Sequence, residues 1–80
     1  MREILAAHAH SMWSGWVKYL FSKSIRNFNG TVTIPSWAVD RWKRQMNTCY
    51  FELPEGEKAS DRKEADGILK LFQSPNQEEE

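Results

Sequence analysis

The sequence predicts a mainly α fold of α+β type, a small bundle of about three helices with a short β-hairpin near residues 24–34. Three observations predict it. Apolar residues recur at spacings of three and four in long stretches of the chain. Asn29-Gly30 precedes the β-branched run Thr31-Val32-Thr33-Ile34, the pattern of a tight turn entering a strand. Pro35 and Pro54 each stand where a new helical pattern opens, and proline is tolerated there because its missing N–H has no partner to lose. Eighty residues at 9.4 kDa fit one small domain, of which folding hides only about 60% of the unfolded surface.

The first helix is expected from about Arg2 to Ser22. Ile4, Leu5, His8, Met12, Trp16, Tyr19 and Leu20 form its stripe, and Trp13 and Val17 widen it. Gly15 costs this helix about 1 kcal/mol and lets another helix approach closely. Ser22-Lys23-Ser24 ends the periodicity, and Ser24–Phe28 pairs with Thr31–Ile34 across Asn27-Phe28-Asn29-Gly30. Two such strands are marginal alone and need helices to lie on.

A helix from about Pro35 to Met46 sets Trp37, Arg41 and Arg44 on one side and Val39, Trp42 and Met46 on a second stripe. Asn47-Thr48-Cys49-Tyr50 breaks it. The last helix opens at Leu53-Pro54, with Glu55 and Glu57 at its positive end. Ala59, Ala65, Ile68, Leu69 and Phe72 carry its apolar face, Gly67 weakens it, and Ser74-Pro75-Asn76 stops it. The domain is read as residues 1–74 and residues 75–80 as an acidic disordered tail.

Composition narrows the function classes. The chain is 40% hydrophobic and 28% charged, the balance of a globular protein. No run approaches the ~18 apolar residues of a membrane span, and the N-terminus lacks a signal-peptide layout, so a cytoplasmic protein away from membranes is expected. Cys49 is the single cysteine and forms no internal disulfide. One Cys and two His do not make a structural zinc site, and His8 and His10 lie two apart, where helical metal pairs lie four apart. No paired carboxylates, base beside Cys49 or phosphate-cradling glycine loop is evident. A protein that is not an enzyme and carries no metal or cofactor is therefore expected.

Net charge is zero but segregated. Residues 1–50 hold seven Lys/Arg against two acidic residues, and residues 51–80 hold four against nine. A duplex nucleic-acid binder shows a net basic domain, which this chain is not. The basic half attracts phosphates or the acidic half, in the same chain or in a neighbouring copy.

Four Trp in 80 residues suit a small core, a subunit interface or a base-stacking platform. Trp37 with Arg41 and Arg44 makes an aromatic face beside guanidinium forks, a set suited to a base and its phosphate. The same arginines equally suit pairing with the acidic last helix. Tyr50, just past the helix break, either caps a pocket or anchors the loop. His10 and Trp13 are weaker candidates.

The segment Tyr50-Phe51-Glu52-Leu53-Pro54-Glu55-Gly56-Glu57-Lys58-Ala59-Ser60-Asp61-Arg62 resembles the ryanodine-receptor repeat, or RyR domain, and 63–72 resembles its closing helix. Leu5–Trp13, with its spaced His and Trp, resembles the opening helix. Together these cover roughly half the chain. Cys49 stands where the family often has Pro, and 24–46 departs from the channel repeats. The pattern is similar to small RyR-type proteins of bacteriophages and their bacterial hosts. That resemblance implies a free-standing binding module for a nucleotide-derived immune signal, a cyclic oligonucleotide or ADP-ribose derivative, which a phage copy sequesters as a sponge. Expected contacts are Trp37, Arg41, Arg44, Tyr50 and Arg62, in a homo-oligomer that covers exposed aromatics. The alternative is an assembly module that docks a host or phage protein.

Overall fold

The structure is a computed structural model that describes residues 1–78, with side chains described as far as Gln73. It is a small domain of three helices with a short antiparallel hairpin, the fold class the sequence predicts.

Helix α1 spans Arg2–Lys23, with Glu3 in its first turn and Lys23 in its last, each matching the sign of the helix end. Its half-buried apolar residues are Leu5, Met12, Val17 and Leu20, and half-buried His8 continues the stripe. The helix ends where two serines turn back on it. Ser22 Oγ donates to the Tyr19 carbonyl (2.7 Å) and Ser24 Oγ to the Leu20 carbonyl (2.8 Å).

Strands β1 (Ile25–Arg26) and β2 (Val32–Thr33) pair with Ile25 opposite Thr33 and Arg26 opposite Val32. The turn is held by side chains. Asn27 Nδ2 donates to Thr31 Oγ1 (2.9 Å) and Thr33 Oγ1 (3.0 Å), and Asn29 Oδ1 accepts from the Thr31 backbone N–H (3.1 Å) and hydroxyl (2.6 Å). Gly30 adopts φ 91°, a conformation costly for any residue with a Cβ. These local bonds occupy Asn27 and Thr31, so the ladder is shorter than the 24–28 and 31–34 strands expected.

Helix α2 spans Ser36–Met46, with Pro35 extended at its N-cap. The Pro35 carbonyl accepts from Ala38 (3.0 Å) and Val39 (3.1 Å), so the ring sits one position outside the helix. At the other end Asn47 Nδ2 donates to the Lys43 carbonyl (2.8 Å) and Thr48 Oγ1 to the Arg44 carbonyl (2.5 Å). A 3₁₀ turn follows at Tyr50–Glu52, then helix α3, Glu55–Glu78. Pro54 plays the same part as Pro35, its carbonyl accepting from Glu57 and Lys58 (both 3.0 Å). Helix α3 passes Ser74-Pro75-Asn76, where the sequence reading stops it. Side chains from Ser74 onward, and Glu79 and Glu80 altogether, lie outside the described residues; of the tail expected at 75–80, the backbone of 75–78 falls within α3.

The chain falls into two compact units, Met1–Trp13 with Pro54–Glu80, and Ser14–Leu53. Helix α1 contributes to both. In the first unit, half-buried residues are Leu5, His8 and Met12 on α1, and Glu57, Lys58, Gly67, Ile68 and Leu71 on α3. The second unit holds Ala38, the single fully buried residue among those described.

Candidate functional site

In the second unit α1 and α2 meet through aromatic rings. Half-buried Trp42 receives Trp16 at 5.3 Å between centroids (58° between planes) and Tyr19 at 6.1 Å (59°). Such tilted pairs favour ring edges against faces. Beside Trp42 lies an open apolar groove of about 200 Å³, lined by Ile34, Val39, Trp42, Lys43 and Met46. Positions 39, 42, 43 and 46 are three and four apart on α2, which aligns them, and Ile34 enters from the strand end. Lys43 is the one charged residue at the groove among the described residues.

Other large apolar side chains of this unit also stand in solvent, among its polar and basic ones. Met46 is 75% exposed and Phe51 78%, and Phe28 at the hairpin tip is fully exposed. Ile25, Phe21 and Trp37 are exposed as well.

Of the expected contact residues, Trp37 and Arg41 come together, with the Arg41 guanidinium 5.0 Å from the Trp37 ring centroid. They stand one helical turn apart on α2, and Trp37 is 45% exposed. Arg44 continues that side of the helix. Half-buried Tyr50 opens the 3₁₀ turn and packs edge-on against Phe51 at 5.3 Å (82°).

Arg62 belongs to the other unit. Its guanidinium Nη1 donates to Glu55 Oε1 at 3.1 Å, and Lys58 Nζ lies 3.7 Å from Glu55 Oε2. The hydrogen bond and charge of Arg62, and then Lys58, hold the Glu55 carboxyl below its ordinary value. His10 and Trp13 stack on each other at 6.0 Å on α1. In the same unit the His8 imidazole lies against Gly67, and its Nε2 is buried with no hydrogen-bond partner among the described residues.

The groove goes beyond the residues singled out as contacts. Its signal is the Val39, Trp42, Met46 stripe, which sequence reads as packing. Its openness is a tertiary property. Among the described residues no three His, Cys, Asp or Glu side chains group to hold a metal ion, and no helix is long and apolar enough to cross a membrane. Cys49 is exposed and unbridged.

No protein-family model, no curated protein and no solved structure matches the chain.

Proposed function

We propose that this chain is a non-enzymatic association module that works by presenting the apolar surface of its second unit to another protein. One observation carries the reading: a single small residue, Ala38, is buried, while the large side chains Phe28, Met46 and Phe51 stand in solvent in the same unit. Isolated exposed apolar residues are ordinary, but several large ones in a unit that also carries an apolar groove mark a surface that another protein covers. The groove's lining suits an aliphatic or aromatic anchor, and Lys43 at its side suits an acidic neighbour.

The test combines molecular size with binding of a hydrophobic dye. The wild-type chain either associates with protein or, as a folded monomer, binds the dye, and Met46→Glu abolishes whichever is seen while helix content stays constant. A folded monomer that binds no dye contradicts the reading.

A second reading rests on the Trp37–Arg41 stack, which leaves an aromatic face beside a guanidinium. In this reading, which the RyR-like segment 50–62 also supports, a cyclic oligonucleotide or ADP-ribose derivative stacks on Trp37, Arg41 and Arg44 hold its phosphate, and the chain sequesters it without turnover. A phage counter-defence sponge is its biological form. A ligand at about 100 times its dissociation constant adds about 2.7 kcal/mol, or roughly 10 °C in melting temperature at this size. A thermal-shift panel of such nucleotides, with Arg41→Glu as control, tests it. A flat panel contradicts it.

A further inference from the structure

Resting on the association reading, we infer that the protein covering the groove of Ile34, Val39, Trp42 and Met46 is a second copy of this chain, held with the acidic stretch 55–73 of helix α3 of one copy toward the basic second unit of the other.

Charge argues that the occupant is the chain itself. The second unit, Ser14–Leu53, carries six Lys/Arg against two Asp/Glu, and the remainder carries five against nine. The two units therefore have opposite charge, and the whole chain is neutral. A molecule built this way is electrically complementary to a copy of itself when the two are related by a twofold axis, because each basic surface then meets an acidic one. On α2 the basic side chains Arg41, Lys43 and Arg44 follow one another beside the groove. On α3 the acidic residues Asp61, Glu64 and Asp66 are all exposed, and the helix then presents Leu69 and Phe72, also exposed. An acidic helix with apolar residues near its charged ones has the chemistry that the basic-edged groove receives.

The interface is apolar at its centre and charged at its edge, so salt and a central charge should act differently. Sedimentation of the full chain is expected to give a dimer whose dissociation constant rises with salt. Met46→Glu, at an exposed position that does not endanger folding, is expected to weaken it by about 100-fold, because the carboxylate loses its water in an apolar contact. Lys43→Glu is expected to weaken it by about tenfold at low salt and less at high salt. A wild-type monomer that binds hydrophobic dye, with the dye lost in Met46→Glu, overturns the second copy and leaves the association reading standing. A monomer that binds no dye overturns both. A dimer that Met46→Glu and Lys43→Glu leave intact overturns the assignment to this groove.

Discussion

The His8 imidazole fills the space that a side chain at position 67 would take: a Cβ on Gly67 would stand 2.9 Å from His8 Cε1 and 3.4 Å from Nε2. Gly67 therefore costs α3 helix propensity and lets α1 pack its imidazole into the gap. Alanine at an open helical site gains about 1 kcal/mol over glycine. Gly67→Ala is expected to forfeit that gain in the wild-type background, because the methyl displaces His8. In a His8→Ala background the full gain returns. Denaturant melts of the four chains measure this coupling, and additivity of the two substitutions would contradict the contact.

Gly15 is the comparison. Nothing lies within 4 Å of a Cβ placed there. Gly15→Ala in the middle of α1 is expected to stabilise the fold by about 1 kcal/mol, or roughly 5 °C in melting temperature. The close approach expected at Gly15 occurs at Gly67 instead.

Gly30 differs again, since its φ of 91° and not its surroundings sets the demand. Gly30→Ala is expected to cost about 1 kcal/mol. Asn27→Ala, which removes both side-chain bonds to Thr31 and Thr33, is expected to cost a similar ~1 kcal/mol. Thermal melts read both, and hydrogen exchange at the Asn27 amide, which donates to the Thr31 carbonyl (2.9 Å), localises the loss to the hairpin.

The Glu55–Arg62 pair predicts a pH dependence of definite sign. Arg62, and then Lys58, hold the Glu55 carboxyl below its unfolded value. The folded state therefore binds this proton less readily than the unfolded state. The stabilisation is present above the unfolded glutamate range and is lost as pH falls through the lowered folded value. Arg62→Gln is expected to melt slightly lower than wild type at neutral pH and at the same temperature once Glu55 is protonated. Melts across the acid range check it, and a gap that persists in acid would contradict the pairing. The effect is small, because Glu55 is exposed and solvent screens it.

Local chemistry made the fold readable. Pro35 and Pro54 each stand one residue before their helices, and Asn29-Gly30 marks the turn, because these residues act through their own backbone. Ser74-Pro75-Asn76 reads as a stop because proline disfavours a helix interior, yet α3 continues to Glu78. The candidate site was only partly legible. Trp37 and Arg41 meet because residues four apart on a helix share a face, a relation fixed within one element. Arg62 went to a ligand in the sequence reading, yet Glu55 lies seven residues before it, two turns along the same face. Periodicity marked Trp42 and Met46 equally as packing residues, but one is half-buried and the other 75% exposed. That difference depends on what lies opposite each side chain, and spacing along one helix carries no information about it.

The most direct test of the central claim is the equilibrium sedimentation mass of the wild-type chain, measured across a dilution series at low and high salt. The account predicts a mass twice 9.4 kDa at low salt, with dissociation favoured by dilution and by salt. A mass of 9.4 kDa throughout, from a chain that melts cooperatively, would contradict it.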